Sequence, residues 1–451
     1  MRDLLFLAVM LTMVPLSLRF PMVGVMGWAW TALLAPNDWL FSFMSGVPIN
    51  KVFAGATMIS MVVFARELRF RMTPTLWLVL CLLGVATVSA TLSIDQTDAG
   101  WVIYTKFTKI VLFCFVIAAV VNSRLRIHAL ILAVALGVGF VGVSEGAFYL
   151  VSGGGHKIVG NPSVGDNNQL AAGLLVVLPL VLYLVMQSEI RVVKLIGGGA
   201  IALILSAVIG TSSRGALVGL VALAAYMVVN SRRKLAGFAA MMMVGLVILA
   251  TAPESWFQRM DTITTANDDN SFMGRVIAWK VSTMIALDRP LFGGGFHAVQ
   301  HPFAWALYGG SMHMLDFVPT DPAGPMPRAA HSIYFEVLGD MGFVGLGLFV
   351  AMLASMAVNL RRVRRLAREQ ANLRWAFDLA FALQGSLVAY MVAGAALSMA
   401  YVDLVYVLAA ATVTLRQMVE AETRVARGSA LPRPPPGMLG LAAAPDRPAL
   451  R

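Results

Sequence analysis

Residues 169–187 read QLAAGLLVVLPLVLYLVMQ, an apolar run without a charged side chain. As a helix rising 1.5 Å per residue, such a run nearly matches the roughly 30 Å hydrocarbon core of a bilayer. The pattern recurs along the whole chain. Further candidate spans lie near 48–65, 75–93, 105–121, 129–151, 192–211, 215–230 and 235–252, and again near 332–358, 376–397 and 400–418. The first 35 residues hold two short apolar runs split by Arg19-Phe20-Pro21, readable as a hairpin of two short helices or as one broken span. The expectation is an all-α polytopic membrane protein with about 12 or 13 transmembrane helices. No small-residue cleavage site follows the first run, which is therefore expected to be retained.

Composition agrees. Of 451 residues, 59% are hydrophobic and 13% charged, with a mean hydropathy of +0.79. A soluble domain carries roughly 25% charged residues. The net charge of +11 resides in short clusters between apolar runs rather than on a soluble basic face, so nucleic acid is not an expected partner. Cys81 and Cys114 both fall inside apolar runs, and the six histidines lack ligand-like spacing. Neither a disulfide framework nor a metal site is expected, and no cofactor is called for.

The basic clusters orient the chain. Arg66, Arg69 and Arg71 form one, Arg124 and Arg126 the next, then Arg191 with Lys194, then Arg232, Arg233 and Lys234, and finally Arg361, Arg362, Arg364, Arg365 and Arg368. They fall on every second connection, which by the positive-inside rule assigns them to the cytoplasm. Residues 1–165 then form an N-terminal transmembrane region. Residues 166–420 form a second one that includes a long outer loop, 253–330. The Pro-, Ala- and Arg-rich residues 421–451 read as a disordered cytoplasmic tail.

Polar groups at membrane depth are costly and so mark candidate function. Thr211-Ser212-Ser213-Arg214-Gly215-Ala216 joins two spans on the outer side. Arg214 there reads either as an interfacial arginine that snorkels to water or as an anion ligand beside a helix N-terminus. Gly274-Arg275 lies in the outer loop, with Trp279 one turn later on an amphipathic pattern over 271–287. Arg275 is either solvated on an interfacial helix or turned toward the same anion as Arg214. The run Pro290-Leu291-Phe292-Gly293-Gly294-Gly295 has turn chemistry, and its glycines alone say little about phosphate. Ala330-His331-Ser332-Ile333-Tyr334 stands where the loop re-enters the membrane, and His331 suits proton transfer on a hydroxyl. Glu336 and Asp340 lie roughly 140° and 180° around that helix from His331, which favours packing or a helix–helix hydrogen bond. Lys106 and Lys109 are either part of a positive outer cavity or interfacial anchors. Glu145 and Asp403 are intramembrane carboxylates of the kind a transporter uses.

Taken together, these segments resemble the O-antigen ligase family over roughly residues 165–420. Ser212-Ser213-Arg214-Gly215-Ala216 resembles its first arginine motif, and Gly274-Arg275-x-x-x-Trp279 with the Pro-x-x-Gly turn its second. Ala330-His331-Ser332-x-Tyr334, followed by an acidic residue and a Gly-rich helix, resembles its third. Met1-Arg2-Asp3-Leu4-Leu5-Phe6, Pro15-Leu16-Ser17-Leu18-Arg19 and Trp28-Ala29-Trp30 resemble the branch of O-glycosylation ligases associated with exosortase systems. The chain departs from the family at Ser332, where Asn is frequent, and in the Pro-rich run from Pro319 to Pro327.

The resemblance implies a metal-independent glycosyltransferase of GT-C-like membrane fold in the bacterial inner membrane. Its donor would be a glycan on a polyprenyl diphosphate carrier, and its acceptor a hydroxyl of a lipid, polysaccharide or protein on the outer, periplasmic side. Arg214 and Arg275 carry over as diphosphate ligands and His331 as the base or acceptor-orienting group. Lys106, Lys109, Trp279 and Tyr334 are further candidate substrate contacts. A polysaccharide polymerase of the same superfamily is the near alternative, and a polysaccharide or lipid transporter the alternative of another class.

Overall fold

The computed structural model describes residues 2–65, 68, 70–94, 98–161, 165–230, 270–309 and 326–429, together with positions 234, 242, 245 and 254. Arg66, Arg69, Arg232 and Arg233, most of the candidate span at 235–252, much of the loop at 253–330, most of the Pro319-to-Pro327 run and the tail beyond 429 lie outside the described residues.

The protein is an all-α polytopic membrane protein. Among the described residues its helices are α1 (Arg2–Arg19), α2 (Pro21–Leu34), α3 (Ile49–Val63), α4 (Pro74–Thr91), α5 (Asp98–Val120), α6 (Arg124–Val151), α7 (Asn167–Gln187), α8 (Arg191–Gly210) and α9 (Arg214–Asn230). Then follow α10 (Asn270–Asp288), a short α11 (Pro302–Tyr308), α12 (Ile333–Ala367), α13 (Arg374–Gly394) and α14 (Asp403–Ser429). Among the described residues, eight helices are long and apolar enough to cross a bilayer: α4 to α8 and α12 to α14. Helices α2, α3 and α9 are apolar but shorter. The predicted runs coincide with these helices to within a few residues, except that α5 begins earlier and α12 and α14 reach further. Helix α14 runs to Ser429, past the residue where a tail was expected to begin.

Local chemistry sets many of the boundaries. Thr73 caps α4 by accepting from the Leu76 amide, with Pro74 at the first helical position, where its missing N–H costs nothing. Ser123 caps α6 in the same way. Asp166 and Gln169 form a reciprocal capping box at the start of α7. The ambiguous N-terminus is a hairpin. The chain breaks at Phe20, the Phe6 and Trp30 rings stack 5.7 Å apart, and the Asp3 carboxylate accepts from the amides of Ser42 and Met44 beyond the end of α2.

Small residues bring the helices close. Gly146 of α6 sits directly on the backbone of Leu203 in α8, and Gly219 of α9 on Ala393 of α13. Without a hydrophobic drive between helices in lipid, such contact is what holds a bundle together.

Helix α12 organises the rest. It packs on α4, α10, α13 and α14, and it is broken at Gly342, where φ is 67° and ψ −167°. The Pro290–Gly295 turn fills the break. The Gly294 and Gly295 amides donate to the carbonyls of Gly339 and Asp340, and the Phe343 amide donates to that of Pro290. The glycine run is therefore spent on backbone contact with a kinked helix. A Cβ at Gly293 would meet the Gly342 nitrogen at 2.5 Å.

The described basic clusters converge on one end of the bundle. Arg364 Nη1 donates to Gln384, Gln417 Nε2 to the Arg71 carbonyl, and the Arg124 guanidinium lies over the Trp375 ring. The other end gathers the polar motifs.

Candidate anion-binding site

Five connections meet at that second end: the start of α7, the α8–α9 turn, α10, the entry to α12, and the turn from 395 to 402 between α13 and α14. The first part of this last turn, Ala395-Ala396-Leu397-Ser398, is the hub. Gln169 Nε2 donates to the Ser398 carbonyl at 2.5 Å. The His331 amide donates to Ser398 Oγ at 3.1 Å. Arg275 Nη1 reaches the Ala396 carbonyl at 3.4 Å. A Cβ at Gly215 would stand 3.2 Å from that of Ala396, so the residue after Arg214 abuts the same turn.

Each motif is shaped locally. In the first, Ser212 takes a left-handed conformation (φ 50°), and Ser213 Oγ caps α9 by accepting from the Ala216 amide. Asn167 Nδ2 donates to the Thr211 carbonyl at 2.8 Å, tying this turn to the start of α7. In the second, Arg275 and Trp279 stand four residues apart on α10 and so share a face. Trp279 stacks on Phe335 at 5.0 Å, and its indole N–H donates to the Ala330 carbonyl at 2.6 Å. In the third, His331 sits in a left-handed conformation (φ 43°) just before α12. Its preceding carbonyl is thus held by Trp279 and its own amide by Ser398. The spacing from Arg275 to Trp279 has a physical reason: one residue serves the cavity and the other clamps the histidine backbone.

Between these elements lies a cavity of about 270 Å³ lined by Gly274, Arg275, Arg328, Ala329 and His331. Burial and the neighbouring Arg275 guanidinium hold the His331 imidazole below its ordinary pKa range, with the Asp166 carboxylate opposing. The histidine is therefore neutral near pH 7 and able to accept a proton. The cavity presents guanidinium donors and small residues, a composition suited to an anion.

The structure brings Arg275 and His331 to one cavity and places the Arg214 segment against the hub they share. Tyr334 hydroxyl donates to the Met391 carbonyl, so this candidate contact engages α13. Lys106 and Lys109 are exposed on α5 and are not among the cavity's lining residues; Lys106 lies near Asp403. Glu145 is 2.8 Å from His156. Glu336 accepts from the Ala400 amide at 3.0 Å and Asp340 from the Tyr401 hydroxyl at 3.0 Å, so both bond to the turn between α13 and α14 where a helix–helix hydrogen bond or packing was expected.

Sequence reasoning missed Arg328, Asp166, Gln169 and the whole 395–398 turn. Asp166-x-x-Gln169 carried a signal, because it has capping-box spacing ahead of an apolar run. Arg328 and Ser398 carried none beyond being polar residues between spans.

A family model described as O-antigen ligase matches residues 199–350, and one described as a family of unknown function matches residues 1–189. No curated protein matches the chain. The first match spans α8 to the middle of α12 and so contains both arginine motifs and the histidine. Residues 199–350, which hold every described lining residue of the cavity, are thus similar to the O-antigen ligase family.

Proposed function

We propose that the protein transfers a glycan from a polyprenyl diphosphate carrier to an acceptor hydroxyl on the outer side of a bacterial inner membrane. The observation that carries this reading is the shared cavity of Arg275 and His331 at the end of the bundle opposite the described basic clusters. A lipid-linked diphosphate is confined to the membrane surface, which is the depth at which helix ends gather. The N-terminal half, where the Met1–Phe6 and Trp28–Trp30 segments stand, fits the exosortase-associated branch.

The diphosphate binds at Arg275, with Arg214 approaching from the α9 side. The acceptor oxygen attacks the anomeric carbon and passes its proton to neutral His331. The glycosyl–oxygen bond breaks, and its electron pair leaves on the diphosphate, whose growing charge the guanidiniums offset. Each charge-assisted hydrogen bond is worth roughly 1.5–3 kcal/mol, enough for one lost arginine to slow transfer by 10-fold or more. No proton donor is required for a diphosphate leaving group.

The test is glycan transfer in membranes carrying Arg214→Ala, Arg275→Ala or His331→Ala at matched expression. Loss of transfer in each is expected, and mass spectrometry of the product identifies the acceptor. Wild-type transfer in all three would falsify the assignment.

A further inference from the structure

Arg328 is not part of any motif described above, yet it forms a wall of the same cavity. It is exposed and stands three residues before His331. Its guanidinium lies directly on buried Gly274, in the space a Cβ there would occupy, against Arg328 Nη1 and Cζ. Glycine at 274 is what admits this side chain beside Arg275. Among the described lining residues, the two with permanent charge are both arginines, brought together from segments more than fifty residues apart.

One planar guanidinium grips one phosphate group through two parallel N–H···O bonds. Two of them around one cavity match two linked phosphates. Resting on the transfer reading, we infer that Arg328 is a further substrate-binding residue, which with Arg275 selects a lipid-borne diphosphate over a monophosphate. Gly274 is the residue that makes room for it. Arg328 changes no bond. It contributes to binding and to the stability of the departing diphosphate.

The experiment uses the full-length protein in nanodiscs, titrated calorimetrically with inorganic pyrophosphate and with inorganic phosphate. Polyprenyl diphosphate and polyprenyl monophosphate, added to the discs, serve as competitors. Wild type is expected to prefer pyrophosphate, with polyprenyl diphosphate the stronger competitor. Arg328→Ala should weaken pyrophosphate roughly 10- to 100-fold while changing phosphate little, and Arg328→Lys should recover only part of the loss.

Gly274→Ala should copy Arg328→Ala. Its new methyl group displaces a movable guanidinium, and alanine suits a helix interior better than glycine, so the fold is kept. The double variant should lose no more than either single one. Wild-type pyrophosphate affinity in Arg328→Ala overturns the inference, as does equal competition by the two lipids. If Arg275→Ala and His331→Ala still abolish transfer in that case, the functional reading stands and only the role of Arg328 falls.

Discussion

The main-chain N–H of His331 donates to Oγ of Ser398 at 3.1 Å, joining residues 67 apart in sequence. With the Ala330 carbonyl held by Trp279, this bond fixes a backbone that sits at φ 43°, a region few non-glycine residues occupy. The imidazole position therefore depends on a turn two helices away.

Ser398→Ala removes that tether. One neutral hydrogen bond is worth about 1 kcal/mol, so transfer should fall roughly 5- to 10-fold with the fold preserved. Ser398→Thr, which keeps the hydroxyl, should restore most of the rate. Equal rates for wild type and the alanine variant in membrane vesicles would show that the tether does not position His331.

The pH profile reports on the same histidine. Activity that needs neutral His331 rises with pH through its pKa. Burial and Arg275 lower that pKa, so the acid limb should lie below the ordinary histidine value of about 6.5. Arg275→Gln removes a charge that disfavours the imidazolium, which raises the pKa and moves the limb to higher pH. Asp166→Asn removes a charge that favours it and moves the limb to lower pH. The readout is the position of the limb, whatever the height of the curve. Shifts in the opposite directions would exclude His331 as the titrating base.

Trp279→Phe separates stacking from clamping. Phenylalanine can keep the contact with Phe335 but leaves the Ala330 carbonyl without its indole donor. Transfer should drop about 10-fold, with a melting temperature close to wild type. A large fall in melting temperature would mark Trp279 as a packing residue instead.

Gly342→Ala tests the break in α12. At φ 67° and ψ −167° the backbone is in a region nearly reserved for glycine, and a Cβ would stand 2.6 Å from the Pro290 carbonyl. The cost should be about 1–3 kcal/mol, visible as a lower melting temperature in detergent and a lower folded yield. Gly347, where a Cβ meets nothing, is the control: Gly347→Ala should lower neither.

The sequence by itself determined the class and the ends of most helices. Hydropathy and length act locally, so runs such as 169–187 and 192–211 became α7 and α8 almost as read. Lys/Arg bias is likewise a property of single loops, and the described clusters do lie together at one end. The arginine and histidine motifs were legible as ordered residue types. The hairpin of α1 and α2 was one of two open readings, decided by contacts such as Phe6 on Trp30.

Only the tertiary structure decided what those motifs share. Arg275 meets Ala396 across 121 residues and Gln169 meets Ser398 across 229. Such pairings arise when helices pack, and no local pattern encodes them. The same holds for the Gly293–Gly295 run, which looked like a turn and proved to be the plug of a broken helix. It holds most of all for the cavity, because whether Arg328 stands beside Arg275 is set by the absence of one methyl group at Gly274, on a helix that the sequence places far away.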